Sequence, residues 1–188
     1  MADAGQKKSA KGGKLPRKIS ERSLENIALH YLKRYAATAG HLKRVLIRRV
    51  DRSLHVHPGD RSAALGWIDA LVAKLVRNKL VDDDAYAHMK AHSLRLAGRG
   101  AWVIEQKLRL KGVSKELARQ KVTEVTAEVS EEAAARIWAK KKRLGPFRTK
   151  LGEGGLRRMK DLAALARAGF SFGIASKVID GEADENGC

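Results

Sequence analysis

The chain has a single cysteine, Cys188, at its last position. One thiol cannot build an internal disulfide framework, so a reduced, cytoplasmic protein is expected. Aromatic residues make up only 5% of the sequence. That scarcity argues against a large sheet core and against an aromatic platform for stacking nucleic-acid bases. No apolar run approaches the roughly 18 residues of a membrane span. The first residues, MADAGQKKSAKGGKLPRK, contain no apolar stretch of the secretory kind. A membrane is therefore not an expected partner. Sustained polar–apolar alternation is missing too, which removes the main signal for half-buried strands. Acid is scarce: 21 Asp and Glu stand against 39 Lys and Arg in 188 residues, a net charge of +18.

Where that charge sits decides what it means. Residues 1–18 hold six basic side chains and one acid, and the final EADENGC holds three acids. Setting both ends aside leaves 33 basic and 17 acidic residues, a net +16 on the body. With 44% apolar residues the body can form a packed interior, so a folded cationic surface is expected. Such a surface implies a polyanionic partner, nucleic acid first, ahead of an anionic membrane surface.

Helical periodicity dominates the body. In SLENIALHYLKRY the apolar residues Leu24, Ile27, Ala28, Tyr31, Leu32 and Tyr35 recur at i, i+3, i+4, i+7, i+8 and i+11. HLKRVLIRRV adds Leu42, Val45 and Leu46 on one face and Lys43, Arg44, Arg48 and Arg49 on another. After the loop DRSLHVHPGDRS, a third helix carries Leu65, Ile68, Leu71, Val72 and Leu75. The same grammar follows from Asp82 to Ala97, where Tyr86, Met89 and Leu94 are expected inward and Lys90 and Arg95 outward. GAWVIEQKLRLKG and SKELARQKVTEVTAEV complete that set, with Ile104 and Leu108 inward. A final set starts at Ser130, an N-cap ahead of two glutamates. GVSKELARQKV and GFSFGIASKVI repeat one another: Gly112 and Gly169 permit a left-handed stop, and a serine two residues later caps the next helix. RVDRS, with Asp51 at the serine position, is a degraded copy. The expected division is a basic arm at 1–19, helical modules at 20–79, 80–129 and 130–180, and an acidic tail at 181–188.

Three adjacent aspartates, Asp82 to Asp84, stand out in a chain this basic. They suit a metal site, a general-base cluster or a helix start. Asp82 precedes a helical pattern and Asp83 and Asp84 fall in its first turn, where carboxylates complement the helix dipole. A metal would need further ligands; His88 and His92 lie four apart but stand among Lys90 and Arg95 and lack a zinc-protease arrangement. The helix-start reading is preferred, and no metal is expected.

The same stretch carries a family likeness. LVDDDAYA, then MKAHSLRLAGRG, then IEQKLRLKGV resembles the central signature of the RecX family of recombination regulators. The likeness extends over roughly residues 20–180, with Asp82, Asp83, Tyr86, Gly112 and Gly169 as its structural residues. Lys79 departs from it, standing where the family usually has glycine, and the loop at 56–62 is long. The resemblance implies an all-α fold of three tandem three-helix modules in an elongated, curved array. It implies a non-enzymatic regulator of the RecA recombinase, lodged in the groove of the RecA–single-stranded-DNA filament. There it would block extension and reduce ATPase, strand-exchange and coprotease activity. RecA and single-stranded DNA are the implied partners, with double-stranded DNA as a further one, no cofactor, and a monomeric state. The cations expected to meet recombinase or DNA are Lys43, Arg44, Arg48, Arg49, Arg95, Arg99, Lys107, Arg109, Lys111, Lys140, Lys141, Lys142, Arg143, Arg157 and Arg158.

Other constellations carry less. His55, His57 and Asp60 in HVHPGD read as loop residues rather than ligands. Gly98–Gly100 reads as an interhelical turn rather than a phosphate cradle. Lys140–Arg143 gain weight as a polyanion contact from Arg148, Lys150, Arg157 and Arg158 nearby. Trp67, Trp102 and Trp138 read as packing residues. Phosphate-loop, catalytic-triad and zinc signatures are missing and Cys188 has no neighbouring base, so no catalysis is expected. Two other functions fit the composition: a sequence-independent nucleic-acid-binding protein, and a helix-turn-helix transcription factor. The latter would show one privileged recognition helix, whereas here the cations are spread over all three sets.

Overall fold

Seven of the helical stretches begin at a serine, threonine or aspartate whose side chain caps them. In the computed structural model, which describes residues 15–148 and 154–181, the helices are α1 (Glu21–Leu32), α2 (Ala39–Leu54), α3 (Arg61–Arg77), α4 (Asp83–Leu96), α5 (Ala101–Leu110), α6 (Lys115–Glu128), α7 (Glu131–Lys142), α8 (Gly154–Arg167) and α9 (Phe172–Asp180). A short 3₁₀ turn, Gly145–Phe147, lies between α7 and α8, and no strand occurs among the described residues. Lys150, Cys188, most of the basic arm and the acidic residues of the tail lie outside the described residues.

Side-chain oxygens accept the free N–H groups of the first turns. Ser20 and Ser23 close a capping box on α1. Thr38 accepts from His41 N at 3.0 Å, Asp60 from Ser62 N at 2.7 Å, and Asp82 from Ala85 N at 2.9 Å. Ser114, Ser130 and Ser171 cap α6, α7 and α9 in the same way. Gly112 (φ 93°) and Gly169 (φ 99°) make the left-handed stops that the repeat predicts. Lys79, where glycine is usual, has φ 54°, a conformation costly for a side-chain-bearing residue.

Three cores form in chain order. Leu24, Leu42, Leu46, Val50, Ile68 and Leu75 fill the first, from α1–α3. Ala87, Ala91, Ile104, Leu108, Ala118 and Val125 fill the second, from α4–α6. Leu162, Leu165, Phe170, Val178 and three alanines of α7, Ala134, Ala135 and Ala139, fill the third. Each buried Leu or Ile removes enough apolar surface from water to contribute about 1.5–3 kcal/mol. The small residues on α4 and α7 set close helix approaches.

The junctions between successive cores repeat. At the start of α2, Ala39 N donates to Asp83 Oδ1 (2.7 Å), and Thr38 Oγ1 donates to Lys111 O in the α5–α6 turn. Gly40 and Gly112 meet backbone to backbone there. At the start of α5, Ala101 N donates to Glu131 Oε1 (2.9 Å), and Gly100 N donates to Ala168 O at the α8–α9 turn (2.9 Å). Gly100 and Gly169 meet in turn. In both joints the first residue of one set's first helix satisfies the opening N–H of the previous set's second helix.

Four expectations require correction. Asp51 is not a helix cap: α2 runs through it to Leu54, Asp60 caps α3, and Asp51 instead pairs with Arg61 at 2.8 Å. Tyr35 is not on α1. The helix ends at Leu32 because Thr38 and Ala39 are fixed to the next set, and Tyr35 is left 56% exposed. Met89 points outward and Trp102 is exposed, since Ala87, Ala91, Val103 and Ile104 occupy the inward positions of α4 and α5.

Candidate nucleic-acid interface

The expected cations divide into those bonded to other groups of the fold and those left without a polar partner among the described residues. Arg95 belongs to the first class, contrary to the outward position expected of it. Its side chain is fully buried. Nε donates to Val129 O at 2.8 Å, and Nη1 donates to Arg99 O at 3.2 Å and to the Glu131 carboxylate. It is a strut between α4 and α7 and cannot touch a partner. Arg158 is also committed, with a two-point pair to Asp180 at 2.7 and 2.6 Å that lowers the Asp180 pKa and raises that of Arg158. Lys43 pairs with Asp69 at 2.5 Å, and Arg44 Nη2 donates to Leu110 O at 2.7 Å across the first junction. Arg148, expected to reinforce the α7 cluster, is held by Asp161 at 2.6 Å.

Arg48, Arg49, Lys107, Arg109, Lys111, Lys140, Lys141, Lys142, Arg143 and Arg157 are exposed and have no acidic partner among the described residues. These occupy α2, the end of α5, the end of α7 and α8, so the free charge spans all three sets. The potential it creates is felt at His41 in the first junction. Burial, and then the charges of Lys111, Arg44 and Arg48, hold its imidazole below the usual histidine range.

One constellation was not legible beforehand. Arg99, half-buried, stacks its guanidinium 3.9 Å from the centroid of Trp138, and Lys142 Nζ lies 5.2 Å from the same ring. With Leu144, Ala164, Arg167 and Ala168 they line a cleft of about 410 Å³. Trp138 thus orders two cations beside a third, Arg167, through the attraction of charge for its ring face. Trp138 and Lys142 stand four apart on α7, a spacing visible in sequence; their meeting with Arg99 and Arg167 depends on the second junction. Gly98–Gly100 makes no phosphate cradle, because Gly100 N is already bonded to Ala168 O.

The aspartates start a helix, as expected. Asp82 caps α4, Asp83 bonds Ala39 N, and Asp84 lies 3.0 Å from Lys121 Nζ. Lys121 has its pKa raised by Asp84 and then Glu124. Tyr86 is half-buried, and burial raises its pKa. His88 and His92 stack on one another and face Glu124 (3.7 Å) and Glu128 (3.5 Å). Among the described residues no three His, Cys, Asp or Glu side chains converge as a metal ion would require. Asp82→Ala is expected to cost about 0.5–2 kcal/mol in urea unfolding. Added magnesium or calcium should leave the melting temperature of the wild-type chain unchanged; a metal-dependent rise lost in the variant would restore the metal reading.

Among the described residues no helix is long and apolar enough to cross a membrane. The family model described as RecX, second three-helix domain, matches residues 82–121, from the α4 cap into α6. The chain is 67% identical over 174 residues to Regulatory protein RecX of Myxococcus xanthus (strain DK1622), covering 93% of each chain. It is 32% identical over 154 residues to Regulatory protein RecX of Agrobacterium fabrum (strain C58 / ATCC 33970), covering 82% of this chain and 80% of the relative. Among solved structures, that of RecX from Lactobacillus salivarius superposes with a TM-score of 0.63 at 22% identity, over 85% of this chain and 94% of the other. With two helix stops and a capped α4 built as the signature requires, and relatives matched over nearly the whole length, the chain belongs to the RecX family.

Proposed function

We propose that this chain is a non-catalytic regulator of the RecA recombinase that acts as a monomer on the RecA–single-stranded-DNA filament, limits its extension, and lowers its ATPase, strand-exchange and coprotease activities. The observation that carries the reading, beside family membership, is the distribution of unpaired cations over all three helix sets. A ligand with charge repeated along its length suits such a surface; a single recognition helix would need the charge gathered on one element.

The test is the single-stranded-DNA-dependent ATPase of the cognate recombinase. Wild-type protein should inhibit it. Lys107→Glu/Lys111→Glu should weaken inhibition while keeping the helical circular-dichroism signal, since both side chains are exposed and the Thr38 contact uses only the Lys111 carbonyl. Charge reversal on a rim mainly slows encounter, so the loss should be larger at low salt than at high salt. No inhibition by the wild-type chain would refute the function, and a double variant that inhibits normally at low salt would remove this face from it. A protein that merely sequesters DNA would inhibit only until DNA is supplied in excess.

A further inference from the structure

We propose that the furrow between α1 and α2 is a binding site for single-stranded DNA, in which a base stacks on Tyr35 and neighbouring phosphates lie on Arg34, Arg49 and Arg52. The inference rests on the proposed function in one respect, the choice of DNA as the nucleic acid. It adds a site that the family signature does not contain and that shares only Arg49 with the expected cation set.

Two adjoining hollows, of about 350 and 440 Å³, share Asn26, Ile27 and Arg49 and so form one furrow. Each is within the size range of sites that hold nucleotide-sized ligands, about 300–1,000 Å³. The lining contains Arg17, Lys18, Arg34, Arg49 and Arg52 and no carboxylate. Three acids of the same helix set are spent elsewhere: Glu25 on Lys74, Asp51 on Arg61 and Asp69 on Lys43. Arg34, Arg49 and Arg52 have no acidic partner among the described residues. The furrow is therefore a strip of uncompensated positive charge.

Charge alone would take any polyanion; the aromatic residues narrow the choice. Tyr35 lies beyond the end of α1 and is 56% exposed as a residue, and its backbone N–H is fixed to Tyr31 O at 2.9 Å. Tyr31 backs it, ring centroids 5.2 Å apart, and is itself anchored by its hydroxyl at 3.0 Å from His41 Nε2. An exposed ring on a rigid support, flanked by arginines, is what an unpaired base needs: a π-face to stack on and cations for the phosphates on either side. A duplex keeps its base faces covered and could use only the charge. The opposite end of the furrow is also ordered. His57 Nε2 donates to Pro16 O at 2.8 Å and Ser53 Oγ donates to Arg17 O at 2.9 Å, so the backbone carrying Arg17 and Lys18 is tied to the C-terminal part of α2. This gives the HVHPGD histidine a structural task.

The test uses the full chain and a fluorescein-labelled thymidine oligonucleotide, read by anisotropy across a salt series. Tyr35→Ala should weaken binding about tenfold with little change in salt slope, and Tyr35→Phe should restore it. Arg49→Gln should flatten the slope by about 0.7. An abasic oligonucleotide of the same length should bind wild type and Tyr35→Ala alike. Equal thymidine binding by wild type and Tyr35→Ala would overturn the proposal, as would an equal loss on the abasic strand. A uridine oligonucleotide bound more tightly than thymidine would overturn the assignment to DNA. Recombinase ATPase is measured on the same samples. If Tyr35→Ala keeps its DNA affinity but loses inhibition, the furrow is a protein contact and the proposal fails while the regulatory function stands. If wild type does not inhibit but Tyr35-dependent binding holds, the function falls and the site remains.

Discussion

Arg95→Ala is expected to lower the unfolding free energy by about 3–5 kcal/mol, the range found when one partner of a buried ion pair is removed. For a chain of this size that is a fall of roughly 10 °C in melting temperature. The guanidinium is fully buried and serves three acceptors at once: Val129 O, Arg99 O and the Glu131 carboxylate. Glu131 in turn accepts from Ala101 N at 2.9 Å. Truncation therefore leaves two carbonyls and a carboxylate short of a donor and opens a cavity between α4 and α7. Arg95→Met separates these causes. It refills most of the volume but leaves the polar groups unmet, so it should recover only the packing part. Nη2 is buried with no hydrogen-bond partner, so the pair is not optimally satisfied even in the wild type. Its value lies in joining three elements in one geometry more than in raw strength. Urea unfolding followed by circular dichroism gives the number, and a change below about 1 kcal/mol would contradict the strut reading.

Arg95 also marks the boundary of what the sequence discloses. Helix existence was legible, because Leu24, Ile27, Ala28, Tyr31 and their counterparts recur at helical spacing and a serine, threonine or aspartate stands before most of the runs. The stops at Gly112 and Gly169 were legible for the same local reason. What failed was the assignment of positions whose environment comes from another helix set. Arg95 and Met89 were placed by polarity alone, yet Ala87 and Ala91 take the inward face of α4 and the α7 start takes Arg95. Asp83 looked like a dipole complement; its hydrogen bond runs to Ala39, forty-four positions away. Tyr35 kept the period of α1 but fell beyond its end, where a long-range junction dictates the backbone path. Low overall aromatic content likewise gave no hint that Tyr31, Tyr35 and His41 would gather in one place. At the candidate interface, exposed lysines were identifiable as cations, but which ones keep their charge free depends on where the acids land.

The junction between the second and third sets gives the other large effect, and an internal control for it. Gly100→Ala is expected to cost about 3 kcal/mol, the upper end of overpacking penalties. A Cβ at Gly100 would lie 2.2 Å from Gly169 O and 2.4 Å from Gly169 C, and both obstructing atoms are backbone, which cannot rotate away as a side chain would. Relief requires the α8–α9 turn to retreat, and that breaks the Gly100 N to Ala168 O bond and loosens the Glu131 contact to Ala101 N. Gly66 sits exposed in the middle of α3, and a Cβ there meets nothing within 4 Å. Gly66→Ala should stabilise by about 0.5–1 kcal/mol, because alanine loses less backbone entropy on entering a helix. The same methyl group therefore moves stability in opposite directions at two helix-associated glycines, a spread near 4 kcal/mol on the cited ranges. If helix propensity governed both sites, the two variants would shift together. Equal and favourable shifts in urea unfolding would show that the Gly100–Gly169 approach relaxes freely and does not fix the second set against the third.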